Sequence, residues 1–128
     1  MTAKILNLKN PDTYTGNIKL AADALLSGKI VAFPTETVYG LGVCSDNSAA
    51  IDNLYSVKQR SKDKKLSIMI AKSEEVTKYV KQIPLIAEKL ISTFWPGPLT
   101  IILDLDDKNT VGLRNPDNRV IRDLINAV

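Results

Sequence analysis

Pro34-Thr35-Glu36-Thr37-Val38-Tyr39-Gly40-Leu41-Gly42 interrupts two apolar runs with hydroxyls, a carboxylate and two glycines. Such a break places polar groups at the mouth of a sheet, where they can meet a ligand; the same residues also suit a turn whose threonines satisfy backbone groups. A second stretch, Lys58 to Lys65, carries Lys58, Arg60, Lys62, Lys64 and Lys65 against the single acid Asp63. Lysine offers a point charge and arginine a planar fork, so the cluster suits a polyphosphate or, without sequence preference, RNA phosphates. A solvated surface loop has the same composition. Arg114, at the end of an expected strand, has the fork that pairs with a carboxylate, and Trp95-Pro96-Gly97-Pro98-Leu99-Thr100 reads as a helix stop with a packed tryptophan. No Gly-x-x-x-x-Gly-Lys-Ser/Thr loop is present, and Gly40-Leu41-Gly42 lacks the third glycine of a dinucleotide fingerprint.

These residues need elements to hold them. Asn10-Pro11-Asp12 reads as a turn ahead of an amphipathic helix with Ile18, Ala21, Ala22, Leu25 and Leu26 on one stripe, closed by Gly28. Ile30 to Phe33 and Val38 to Val43 are expected strands joined by the polar break and paired antiparallel. Ser45 to Ser48 caps a second helix that delivers Lys58 and Arg60 at or just past its C-terminal end. Leu66 to Ala71 reads as a buried strand, Ser73-Glu74-Glu75 opens a short third helix, and Pro84 to about Phe94 forms a fourth. Strands at Leu99 to Leu103 and Val111 to Arg114 and a last helix from Val120 complete the pattern. Interleaved strands and helices predict an α/β fold, a twisted, mixed open sheet covered by helices.

Composition narrows the chemistry. The 128 residues contain no histidine, which removes Ser-His-Asp triads, Cys-His dyads and histidine metal ligands together. Cys44 is the only cysteine, so no intrachain disulfide and no cysteine zinc site is available, and a reducing, cytoplasmic setting is expected. No apolar run approaches the roughly 20 residues of a membrane helix, so no membrane partner is expected. A net charge of +3 is compatible with a phosphate-bearing ligand.

Taken in order, residues 34–42, Lys58-Gln59-Arg60, Phe94-Trp95-Pro96-Gly97-Pro98-Leu99-Thr100 and Val111-Gly112-Leu113-Arg114-Asn115-Pro116 resemble the successive signatures of the YrdC-like threonylcarbamoyl-adenylate synthase family. The resemblance implies an α/β sheet with a concave, positively charged surface. It also implies a reaction in which L-threonine, bicarbonate and ATP, with Mg2+, give threonylcarbamoyl-AMP and pyrophosphate. Transfer proteins would then pass the threonylcarbamoyl group to adenosine 37 of tRNA. By the same resemblance Thr35 contacts L-threonine with Thr37 nearby, Arg114 pairs with the threonine carboxylate, Lys58 and Arg60 hold the ATP phosphates, and Trp95 to Thr100 has a structural role. No catalytic side chain and no protein-held metal is implied. The family pattern continues into a further strand and a Ser-Ala-Asn motif, so residues 1–128 are expected to be a C-terminally incomplete YrdC-like domain, inactive in isolation. Asp104 to Asn109 is shorter than the loop many members carry, and Asp117 stands where many have histidine. The rival reading is a non-catalytic module that holds double-stranded RNA or tRNA through the basic cluster. A second rival is the related domain of hydrogenase-maturation carbamoyltransferases, whose additional zinc-finger and acylphosphatase-like parts are not visible in the sequence.

Overall fold

A computed structural model of the protein describes residues 3–128. Helix α1 spans Pro11–Leu26. The Asn10-Pro11-Asp12 turn belongs to the helix itself: the Asn10 side chain accepts from the Asp12 N–H and Pro11 occupies the first turn, where its missing N–H costs nothing. Gly28, at φ 85°, turns the chain out of α1 in the left-handed region. Strands β1 (Val31–Phe33) and β2 (Gly40–Gly42) pair antiparallel, with Phe33 opposite Gly40 and Val31 opposite Gly42. Helix α2 (Ser48–Lys58) is capped by the Asn47 side chain on the Ala50 N–H and stops at Gln59 in the left-handed region.

Strand β3 (Ile68–Met69) is followed by a 3-10 helix at Ser73–Lys78, helix α3 (Leu85–Phe94), strands β4 (Thr100–Asp104) and β5 (Thr110–Arg114), and helix α4 (Arg119–Ala127). The order in the second sheet is β3-β5-β4, with β3 parallel and β4 antiparallel to β5. The α/β class and the mixed pairing are therefore as expected, and the strands divide between two small sheets. Among the described residues no helix is long and apolar enough to cross a membrane.

Two apolar clusters hold the chain. On β4 and β5 alternate residues Ile101, Leu103, Val111 and Leu113 turn inward and meet Ile70, Val76, Val80, Ala87 and Trp95, so the 3-10 helix and α3 cover one face of the three-stranded sheet. The second cluster joins α1 to α4 through Ala22, Leu25, Ile121 and Leu124, with Phe33 between them and Met69 against its edge.

Gly40 and Gly42 face the Phe33 ring. They lie two residues apart on one face of β2, and a Cβ on Gly42 would come within 2.7 Å of Phe33 Cε1. The glycine pair is thus a seat for an aromatic side chain, not a phosphate loop. Gly42→Ala should lower stability by about 1–3 kcal/mol through overpacking. Gly112→Ala, whose Cβ meets only ordinary contacts at 3.5 Å and beyond, should fall within about 1 kcal/mol of the parent. Urea unfolding of both variants checks the contrast; equal midpoints would contradict it.

Candidate functional site

The side of the three-stranded sheet that faces away from the first cluster carries Thr110, Gly112 and Arg114 of β5, with Thr100 and Ile102 of β4 beside them in register. Lys65, Leu66 and Ser67 border this face, and with Thr100, Ile102, Thr110 and Gly112 they line a recess of about 110 Å³. Glycine at 112 keeps its floor low.

At the Arg114 end the loop between β1 and β2 folds onto the sheet. The Thr35 hydroxyl donates to the Val38 carbonyl at 2.6 Å and accepts from the Thr37 N–H at 3.2 Å, which closes the loop on itself. The Thr35 and Thr37 hydroxyl oxygens are 3.1 Å apart. Arg114 Nη2 donates to Glu36 Oε1 and lies 3.4 Å from Thr37 Oγ1, and the other Glu36 oxygen accepts from the Asp117 N–H. The Arg114 and Glu36 side chains are only 13% and 20% exposed. Arg114 Nε is buried and has no partner. A cation withdrawn from water with a donor to spare is suited to an anion of matching shape, and a carboxylate matches the guanidinium fork.

The segment after β5 is fixed from behind. Trp95 is buried, and its Nε1 donates to the Leu99 carbonyl at 2.8 Å. The Gly97 N–H donates to the Asn115 carbonyl at 2.9 Å, and a Cβ on Gly97 would collide with the Phe94 carbonyl oxygen. Asn115 and Pro116 are buried, and the Asn115 amide reaches Ser73 Oγ at 3.4 Å. The Trp-Pro-Gly-Pro turn therefore has a structural place: it sets where β5 ends and Arg114 emerges. Asp117 gives its N–H to Glu36, and its carboxylate lies 3.7 Å from Arg122.

The basic loop sits at the opposite end of the β3–β5 ladder. Arg60 Nε and Nη2 donate to the Lys64 and Lys65 carbonyls at 2.9 and 3.1 Å, and Tyr55 Oη donates to the Lys64 carbonyl at 3.1 Å. Lys65 Nζ donates to the Thr110 carbonyl at 3.2 Å. Arg114 lies four residues further along β5, roughly 13 Å away at a strand's rise. Lys62 is paired with Asp52 at 3.0 Å. Lys58 is exposed at the end of α2, and among the described residues no acid pairs with it.

Of the residues singled out from sequence, Thr35, Thr37 and Arg114 are thus brought together, whereas Lys58 and Arg60 are set apart from them. Part of the Arg60 guanidinium is committed to holding its own loop. Glu36 is the site residue that sequence reasoning left without a role; its position between the two threonines was the available signal.

Two other places carry no convergent chemistry. Cys44 Sγ donates to the Leu25 carbonyl at 3.3 Å, and burial, then Asp46, pushes the thiol up, away from the reactive thiolate. A wider recess of about 310 Å³ between α1 and α4 is lined by Tyr14, Ile18, Asp123 and Asn126 among others. Two of its polar groups are paired: Tyr14 donates to Asp123 at 2.6 Å, and Arg119 stacks 4.5 Å over the Tyr14 ring. Burial and the Asp123 hydrogen bond both raise the Tyr14 pKa.

Comparison with known proteins places this arrangement. The profile of the family described as telomere recombination, Sua5–YciO–YrdC, matches residues 23–128. The chain is 39% identical over 117 residues to a threonylcarbamoyl-AMP synthase of Pyrococcus abyssi, covering 84% of this chain and 34% of that protein. It is 34% identical over 119 residues to the Vibrio vulnificus threonylcarbamoyl-AMP synthase, covering 84% of this chain and 64% of that one. The crystal structure of P. abyssi Sua5 complexed with L-threonine superposes with a TM-score of 0.83 at 38% identity, over 88% of this chain and 36% of that one. Escherichia coli YciO shares the fold, with a TM-score of 0.79 at 22% identity over 88% of this chain and 59% of that one. The chain spans between about a third and two-thirds of the length of these relatives.

Proposed function

Because this chain belongs to the Sua5–YciO–YrdC family, we propose that its open sheet face holds the substrates of a threonylcarbamoyl-AMP synthase. The observation that carries the reading is the meeting of Thr35, Glu36 and Thr37 with Arg114, 77 to 78 positions away for the two direct contacts, around a half-buried guanidinium whose Nε has no partner. Arg114 takes the carboxylate of L-threonine, and Thr35 and Thr37 shape the pocket for its hydroxyl. Lys58 and the free edge of Arg60 take the phosphates of ATP at the other end of the sheet. A ligand with an amino acid at one end and a nucleotide at the other spans such a face.

The threonine amine adds to bicarbonate carbon with loss of water to give a carbamate. A carbamate oxygen then attacks the α-phosphorus of ATP, and pyrophosphate leaves. The protein contributes orientation and charge stabilisation on the leaving pyrophosphate; no covalent nucleophile is needed. Magnesium arrives on the phosphates of ATP, bridging their oxygens. Partner proteins then transfer the threonylcarbamoyl group to adenosine 37 of tRNA.

Titration of the chain with L-threonine and with ATP plus magnesium, at two salt concentrations, tests this reading. Lys58→Ala and Arg60→Ala should each weaken ATP binding by about tenfold, the worth of one charge-assisted contact. Lys62→Ala should change it less than about twofold, because Lys62 is paired with Asp52 on the surface. A melting curve for Arg60→Ala separates lost phosphate contact from a loosened loop. Unchanged ATP titrations in both of the first two variants would remove the phosphate site. Steeply salt-dependent RNA binding with no response to L-threonine would favour a nucleic-acid-binding module instead.

A further inference from the structure

Glu36 has no part in the substrate scheme above, yet it is the group most intimately engaged with Arg114. A lone carboxylate brought to Arg114 would set two carboxylates against one guanidinium at side chains only 13% and 20% exposed. Poor hydration penalises such an uncompensated negative charge. A free amino acid avoids the penalty, because it brings its own cation beside its carboxylate.

We propose that Glu36 accepts the α-ammonium of L-threonine, so that the Arg114–Glu36 pair recognises both charges of the zwitterion. This rests on the L-threonine reading above. Glu36 spends one oxygen on Arg114 and the other on the Asp117 N–H, and each carboxylate oxygen has a second lone pair to offer. Arg114 spends only Nη2 on Glu36 and Thr37, and its Nε has no partner, so the guanidinium keeps donors for the substrate carboxylate. The Thr37 hydroxyl, 3.4 Å from Arg114 Nη2, and the Thr35 hydroxyl, 3.1 Å from Thr37, complete a set of cation, anion and hydroxyls. That set is complementary to the three polar groups of threonine. The Asp117 N–H holds Glu36 in place when the ligand is absent, so the carboxylate is already oriented for it.

The test pairs one variant with one ligand change. (R)-3-hydroxybutyrate is threonine with its ammonium replaced by hydrogen, so it keeps the carboxylate and the hydroxyl and adds no bulk. The unmodified chain should bind L-threonine about tenfold to a hundredfold more tightly than (R)-3-hydroxybutyrate, the worth of one charge-assisted hydrogen bond. Glu36→Gln should lose most of that preference by weakening L-threonine alone, with (R)-3-hydroxybutyrate unchanged or tighter. Equal weakening of both ligands would mean that Glu36 acts only by holding Arg114 and would overturn the proposal, as would no weakening of either. If the variant does not fold, equal affinity of the unmodified chain for the two ligands overturns it on its own. An unmodified chain that binds (R)-3-hydroxybutyrate and L-threonine equally refutes the ammonium contact while leaving the carboxylate site standing. One that binds neither removes the L-threonine reading and this proposal with it.

Discussion

Arg114→Ala should weaken L-threonine binding by between about thirtyfold and several thousandfold, the range expected when one member of a desolvated, hydrogen-bonded charge pair is truncated. The variant loses the fork proposed to take the carboxylate, and it also leaves the Glu36 carboxylate without its guanidinium, with only the Asp117 N–H to answer it. An unpaired carboxylate at that place repels the incoming carboxylate, so the loss exceeds that of a single hydrogen bond. Arg114→Lys should fall between parent and alanine variant: it keeps the charge and loses the planar two-point contact. Calorimetric titration of the three proteins, with near-ultraviolet circular dichroism to confirm that the fold is kept, measures both steps. An alanine variant within about threefold of the parent would show that Arg114 does not receive the ligand.

The largest effect on stability is expected at Trp95. Its ring lies in the cluster with Ile101, Leu103, Val111 and Leu113, and its Nε1 satisfies the Leu99 carbonyl. Trp95→Ala leaves a cavity and an unanswered carbonyl together, which costs about 3–5 kcal/mol. That is a large part of the roughly 5–15 kcal/mol that holds a typical domain. Trp95→Phe keeps most of the packing and loses the N–H, and should cost about 1–2 kcal/mol. Urea unfolding followed by circular dichroism gives both values; an alanine variant less than 1 kcal/mol below the parent would contradict the packing described. Because the Gly97 N–H holds the Asn115 carbonyl next to Arg114, Trp95→Ala should also weaken L-threonine binding at temperatures where it is still folded.

What the sequence disclosed and what it withheld divide along physical lines. Local signals were readable: Gly28 ends α1, Asn47 caps α2, Pro84 precedes α3, and Lys58 and Arg60 fall at the end of α2. Thr35, Thr37 and Arg114, which the motifs single out, meet in space. Strand limits were not readable from hydropathy. Leu66 to Ala71 reads as one buried strand, but its register with β5 covers only Ile68 and Met69; the Ile70 N–H still donates to the Arg114 carbonyl at 2.9 Å, and Ile70 and Ala71 are buried past the ladder's end. Val38 and Tyr39 read as strand and stay outside it, 74% and 75% exposed, because the Thr35 hydroxyl closes the loop on Val38. Ser73–Lys78 is a 3-10 helix in place of an α-helix, with the Thr77 hydroxyl bonded back to the Glu74 carbonyl. The Glu36–Arg114 pair and the use of Arg60 on its own loop depend on tertiary register, which no local pattern encodes.

The most direct test of the central claim is an amide NMR titration of the chain with L-threonine. The account predicts progressive shifts at Thr35, Glu36 and Thr37, at Gly112 to Asn115 and at Asp117, with Tyr14 and Asp123 in the α1–α4 recess unmoved. Shifts confined to the α1–α4 recess, or none anywhere at millimolar L-threonine, would contradict it.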